Sequence, residues 1–245
     1  MPEAMYEKIQ GVVLNTIRYS DKHNIVHIYT RQRGLMAFAV PQGRTAGARQ
    51  CNALLMPLSL VDAEARVMPG RELSSLRDLR RNAVLSQIYT DPVKSAIALY
   101  VSELLTHAIQ EHEQNLALYD YIEQCVMILE SAVRGVANFH ICFTYHLGIL
   151  IGIQPDTGTW REGWWFDMRG GVFRPVPTGG SHWLRPDEAR VIWLLSRMTF
   201  TNMHLFRFAR DQRNQVLEVM LNYFKLHHST LGTLRSPEVL KQLFS

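Results

Sequence analysis

The chain is poor in the residues that build most reactive centres. Cysteine occurs three times, at Cys51, Cys125 and Cys142. So odd and widely spaced a set argues against a disulfide framework or a cysteine-rich metal site, and fits a reducing compartment. Neither a Gly-x-Ser-x-Gly elbow nor a Walker-type phosphate loop is present, and no cysteine has an obvious base beside it. The ten histidines form no His-x-x-x-His pair with an acidic residue between, and the adjacent His227 and His228 must point to different faces of a helix. The first residues, Met1-Pro-Glu-Ala, lack the basic-then-apolar order of a signal peptide. Long apolar runs are scarce too. The only membrane-like one, residues 136–153, contains Asn138, His140, Thr144 and His146, so it is expected to be a buried core helix. These absences point away from an enzyme, a metal, a cofactor and a membrane span, and leave the cytoplasm as the expected location.

What is present is an uneven distribution of charge. The formal net charge is +4, but residues 1–81 hold 12 Lys+Arg against 7 Asp+Glu, and residues 82–245 hold 14 against 15. A basic first part on a near-neutral remainder suggests a polyanionic partner for that part, although a solvated basic surface would show the same balance.

The pattern along the chain divides at the same place. Tyr6 to Ile17 reads as a strand, with Gly11 marking a bend or bulge. Asn24–Thr30 and Leu35–Val40 read as a hairpin around Arg31-Gln-Arg-Gly34. Pro41 to Arg49 is a Gly-containing loop without an acidic residue. Leu54 to Ala63 reads as a fourth strand, which Pro57 would place at an edge or bulge, and Glu72–Leu79 as a fifth after a turn at Met68–Arg71. Five short strands in about 80 residues suggest a small barrel or sandwich. The five-stranded OB barrel, which holds nucleic acid on one open face and its loops, is one such fold.

Helical spacing takes over after Arg81. Asp91 and Pro92 start a helix carrying Val93, Ile97, Tyr100, Val101, Leu104, Leu105 and Ala108. A second is expected from Leu116 to Val133. The helix of residues 136–153 is apolar all round and should be the centre of a bundle. Trp160 to Trp183 reads as a short β-excursion around a Gly-Gly turn. Pro186-Asp-Glu opens another helix, and Phe200–Ala209 and Asp211–His228 read as two more. The predicted class is therefore α+β: an N-terminal five-stranded barrel, residues 1–81, then a helical bundle domain, residues 82–245, with a β insertion near 160–183.

The functional signal lies in basic residues interleaved with aromatics. Arg18, Tyr19, Lys22, His23, His27, Tyr29, Arg31, Arg33, Arg44 and Arg49 fall within about 30 residues. Single-stranded nucleic acid needs cations along its backbone and aromatic faces for its bases, a stacked base contributing ~1–3 kcal/mol. Arg18, Lys22, Arg31, Arg33, Arg44 and Arg49 are the candidate phosphate contacts and Tyr29 or Tyr19 the stacking ring. Arg77, Arg80 and Arg81 could extend the track. Six phosphate contacts would give a log–log salt slope of about −4 on single strands. The tryptophans at 160, 164, 165, 183 and 193 are expected to be packing residues.

Nearly the whole chain resembles a family, the bacterial recombination mediator and DNA repair proteins called RecO. The resemblance lies in Asp21-Lys-His-Asn-Ile-Val-His-Ile-Tyr-Thr30 followed by Gly34 and Val40-Pro-Gln-Gly43. It continues in Tyr100-Val-Ser-Glu-Leu-Leu105, Gly152-Ile-Gln-Pro-Asp156, Asn222-Tyr-Phe-Lys-Leu-His227, Leu234-Arg-Ser236 and Val239-Leu240. It implies an OB-fold barrel on a helical domain with no enzymatic site. It also implies binding to single- and double-stranded DNA, annealing of complementary strands, and work with RecR to load RecA on DNA coated by single-strand-binding protein. Three departures stand out. Residues 156–182 lack the four-cysteine zinc site of many members. Gln42 stands where a Lys is frequent, leaving the charge to Arg44 and Arg49. Residues 136–154 have no Arg or Lys to receive the acidic tail of single-strand-binding protein, so Arg134 is the nearest partner-binding candidate. The rival reading is an OB-fold protein-interaction adaptor whose basic surface is incidental.

Overall fold

Alternating β-branched and small residues in the first 81 positions build a closed barrel of five strands. The structure, a computed structural model, describes residues 5–43, 45–67, 73–109 and 113–243. Strands β1 (Met5–Arg18), β2 (His23–Thr30), β3 (Gly34–Pro41), β4 (Leu60–Val67) and β5 (Leu73–Arg81) close in the order β1-β2-β3-β5-β4. All pairings are antiparallel except β3 with β5, which run parallel. Inward-pointing Ile9, Val13, Val26, Ile28, Phe38, Val40 and Val61 fill the interior. Burying each such side chain contributes roughly 1.5–3 kcal/mol, which is what a ribbon too short to fold alone requires. The five-stranded barrel expected of an OB fold is thus present.

Gly11 does not mark a bulge. It pairs with Thr30 on one side and Val61 on the other, and a Cβ there would collide with Ile28 Cγ2. The glycine permits close strand approach where β1 passes from one partner to the next. The irregularity falls instead between Val13 and Asn15.

Two segments differ from what the sequence predicts. Part of the loop of residues 41–49 and the start of the predicted fourth strand form helix α1 (Ala46–Leu54), whose first turn is capped by Thr45 Oγ1 accepting from Ala48 N at 3.2 Å. Pro57 lies in the connection that follows, where Leu55 and Leu58 are buried, and β4 begins only at Leu60. The turn expected at Met68–Arg71 lies outside the described residues.

Contacts divide the chain into two units, residues 1–131 and 132–245. In the first, α2 (Ser86–Thr90), α3 (Pro92–Ala108) and α4 (Leu116–Ser131) accompany the barrel. Asp91 caps α3 as its sequence implies, accepting from Val93 N at 2.8 Å and Lys94 N at 3.2 Å. The Glu130 carboxylate performs the same service across space for α2, accepting from Gln87 N at 2.8 Å and Ile88 N at 2.9 Å. Helix α3 lies on β1, where Ser102 Oγ donates to Leu14 O and Asn15 Nδ2 reaches Thr106 Oγ1 at 3.5 Å.

The second unit is built round α5 (Phe139–Leu150), nine of whose twelve residues are buried. A three-stranded sheet, β7 (Val172–Arg174), β6 (Trp165–Asp167), β8 (Trp183–Leu184), realises the excursion. Helices α6 (Pro186–Leu195), α7 (Arg210–His227) and α8 (Ser236–Leu243) follow. Residues 200–209 are not the predicted helix. They form turns with a single 3-10 stretch, Met203–Leu205. Buried Asn138 holds them in place, donating to Met203 O at 2.9 Å and Phe206 O at 2.7 Å while accepting from Arg213 Nε at 3.2 Å. Among the described residues no helix is long and apolar enough to cross a membrane.

Candidate nucleic-acid interface

The candidate cations do not form one track, because β2 separates them. Eight residues rising about 3.3 Å each put the β1–β2 loop and the β2–β3 turn roughly 23 Å apart. The two ends of the hairpin have different uses.

At the β2–β3 turn the charges are committed within the fold. Arg31 Nη1 donates to Asp120 Oδ1 at 2.7 Å, and its guanidinium lies 5.4 Å from the centre of the Tyr119 ring. The Arg31 carbonyl accepts from Gln114 Nε2 at 3.1 Å. Arg33 Nε donates to Glu7 Oε2 at 2.5 Å. Beneath them Tyr29, 1% exposed, stacks on Tyr119 at 6.5 Å between ring centres. Tyr29 is therefore a core residue with no face to offer a base, not the stacking ring expected from the sequence. This part of the hairpin's outer surface is a seat for α4. Burial, and then the neighbouring Glu123, raises the Tyr119 phenol well above its ordinary value, so it stays neutral beside Arg31.

The other end is open. Tyr19 N and Ser20 N donate to His23 O at 3.3 and 3.0 Å, and Ser20 Oγ accepts from His23 N at 3.1 Å, which ties the β1–β2 loop into a tight turn. Tyr19 stands out from it, 68% exposed. Arg18 contacts Asp21 at 2.8 Å, but with the two side chains 69% and 94% exposed the pair is worth little and yields readily to a phosphate. Lys22 and Arg49 are exposed. The pairing of His23 with Pro41, and Gln42 N donating to Lys22 O at 2.8 Å, bring this loop against the chain that enters α1. Arg81 reaches the far end of the same helix, donating to Ala53 O at 3.2 Å. Helix α1 has no acidic residue in its first turn and exposes Ala46 and Gly47 there, adding the partial positive charge of a helix N-terminus. Arg44 lies between these elements in sequence and outside the described residues.

The outer face of β4 and β5 has mixed charge. Arg80 sits 3.4 Å from Asp62, and both line a cavity of about 460 Å³ with Lys8, Glu64 and Asp78. Three carboxylates against two cations make this a poor bed for phosphates. Arg77 lies over the Tyr6 ring at 5.0 Å. Of the track's proposed extension, only Arg81 reaches α1, at the C-terminal end of that helix.

Elsewhere most of the side chains that invited chemistry are occupied by packing, Arg134 excepted. Arg134 is exposed next to Gly135, which has a φ of +72° and where a Cβ would collide with the His204 backbone. His227 Nε2 lies 2.7 Å from Met168 O, and His228 Nδ1 lies 2.8 Å from Thr230 Oγ1. Trp160 stacks on Trp193 at 4.1 Å, with Arg197 4.4 Å from the centre of the Trp193 ring. Burial raises the Cys51 and Cys142 thiols, the latter to about 12, away from nucleophilic use. Among the described residues no three His, Cys, Asp or Glu are grouped to hold a metal.

Comparison with known proteins agrees with this architecture. Residues 5–81 match the family described as Recombination protein O N terminal, and residues 89–234 match Recombination protein O C terminal. The DNA repair protein RecO of Phocaeicola vulgatus is 36% identical over 241 residues, covering 98% of this chain and all of that protein. Its counterpart from Bacteroides fragilis is 34% identical with the same coverage, and that from Flavobacterium johnsoniae 26% identical over 242 residues with the same shares. A barrel matched along its full set of strands, a matched helical part and relatives aligned end to end place this chain in the RecO family of DNA repair proteins.

Proposed function

We propose that this protein is a non-enzymatic, DNA-binding mediator of recombinational repair acting in the cytoplasm. The barrel of residues 1–81 is the nucleic-acid-binding part, and the helices that follow it to residue 131 brace it. In this reading it binds single- and double-stranded DNA, anneals complementary strands and, with RecR, assists loading of RecA on DNA coated by single-strand-binding protein. Arg134 is the candidate contact for that protein's acidic tail.

The observation that supports DNA binding most directly is the open end of the barrel. Arg18, Lys22 and Arg49 are exposed there around Tyr19 and the N-terminus of α1, and Arg81 is exposed at the other end of that helix. A polynucleotide strand following that end would have its phosphates neutralised by these cations and Arg44, with a base on the Tyr19 ring. Arg31 and Arg33 play no part. The test is fluorescence anisotropy with a labelled single-stranded oligonucleotide across a salt series, with and without RecR. Five phosphate contacts give a log–log slope of about −3.5. A slope near zero would refute the reading.

A further inference from the structure

The second unit carries a groove between α6 and α7 that no part of the DNA-binding reading uses. Val191, Ile192, Phe208, Val216 and Val219 make its floor, and its volume is about 230 Å³. That exceeds the roughly 150 Å³ of an apolar cavity able to admit a benzene ring. It falls short of the ~300–1,000 Å³ typical of small-molecule sites. The size suits one or two apolar side chains presented by another polypeptide.

The rim selects the charge of that polypeptide. Asp187, Glu188, Gln212 and Gln215 edge the groove, and no lysine or arginine lines it; Arg185 and Arg190 of the same segment lie outside. In a chain of net charge +4 this is a local inversion of sign. Glu188 is held in place by neutral donors, Arg185 N at 3.0 Å and Gln215 Nε2 at 3.2 Å, which orient its charge without cancelling it. Asp187 is exposed, and no ion pair is found for either carboxylate among the described residues.

We propose that the α6–α7 groove docks a cationic amphipathic helix of a partner protein, its apolar face on the valine floor and its lysines or arginines against Asp187 and Glu188. An apolar groove between two helices can receive a third helix through anchors spaced three or four residues apart. The carboxylates at the rim repel nucleic acid and acidic segments alike, so the groove discriminates by charge as well as shape.

The test uses the full chain and a short fluorescein-labelled helical peptide with leucine on one face and lysine on the other. A twin with glutamate for lysine serves as the charge control. The lysine peptide is expected to bind saturably, with one site per chain, and the glutamate twin not to bind, although the protein's overall charge favours the twin. Asp187→Lys should weaken the lysine peptide about tenfold and let the twin bind. Val219→Trp should fill the trough and abolish binding with circular dichroism unchanged; if that variant does not fold, the charge swap at Asp187 decides. Oligonucleotide affinity should not change in either variant. Equal binding of both peptides, absence of saturable binding, or a lysine peptide indifferent to Asp187→Lys would overturn the proposal.

Discussion

If the two ends of the β2–β3 hairpin serve different purposes, substitution should separate them into a DNA phenotype and a stability phenotype. Lys22 and Arg49 are exposed on the open end with no ion pair found for either among the described residues. Each phosphate contact releases about 0.7 counterion from a single strand, so removing both should move the salt slope from about −3.5 to about −2.1. At 0.1 M salt, where each contact carries about 0.7 log unit, the double alanine variant should bind about 25-fold more weakly. Its unfolding midpoint should hardly move, since neither side chain is buried.

Arg31→Ala should do the reverse. Its pair with Asp120, 36% and 53% exposed, is worth at most ~1 kcal/mol after solvent screening, and its place over Tyr119 about 0.5–1 kcal/mol more. Stability should therefore fall by about 1–2 kcal/mol with the salt slope unchanged. Anisotropy across a salt series and urea unfolding read the two axes independently. A flatter slope for Arg31→Ala, or an unaltered one for Lys22→Ala with Arg49→Ala, would refute the assignment.

Other expectations concern single side chains. Tyr19→Ala should lose ~1–3 kcal/mol of affinity for single strands, Tyr19→Phe little, with melting unaffected in both; equal losses would mean that the hydroxyl, not the ring, makes the contact. Glu130→Ala strips α2 of both carboxylate acceptors and should lower the urea-derived stability by ~1–3 kcal/mol; an unchanged midpoint would show that water replaces them. Burial, reinforced by Arg213, lowers the His140 imidazole to about 3. The folded form thus holds it neutral, while the unfolded chain takes up a proton near pH 6.5. Its contribution to stability is complete above that pH and lost as pH falls toward 3. By pH 5 the loss is about 2 kcal/mol. His140→Gln should remove that share of the acid sensitivity, which urea midpoints at pH 7.5 and 5 for both proteins would reveal.

The parts of the fold that sequence could disclose are those decided within a dozen residues. The strands of the barrel announced themselves through alternation, and α3 through Asp91 and Pro92 at its start. Helix α1 was hidden because it has one buried residue, Ala48, and so no apolar stripe to detect. The apolar run Leu54-Leu-Met-Pro-Leu that follows imitates a strand while serving as a connection. Helix α8 did carry a legible start, Ser236-Pro-Glu238, of the kind that revealed α6 at Pro186-Asp-Glu188. The segment of residues 200–209 shows the opposite failure: its composition allows a helix, but Asn138 takes two of its carbonyls and fixes it as turns.

Sequence could not separate the paired arginines of the candidate site from the exposed ones, for one physical reason. Counting charges in a window treats each arginine as available, whereas availability is set by partners that the window does not contain. Asp120 is 89 positions from Arg31 along the chain and 2.7 Å away in space, and Tyr119 covers Tyr29 in the same manner. Once α4 is seated, the β2–β3 turn can exchange its carboxylate for a phosphate only by undoing a long-range packing contact, whereas the β1–β2 loop has only the local, water-screened Asp21 to release. Two stretches of similar composition thus differ in what binding would cost them. It follows that Asp120→Ala should leave Arg31 exposed and unpaired, adding a cation at the β2–β3 turn. If stability falls but the protein stays folded, single-strand affinity should rise slightly at low salt and the slope steepen by no more than about 0.7. A loss of affinity in that variant would mean that single-strand binding depends on the turn's seat on α4 and not on its charge.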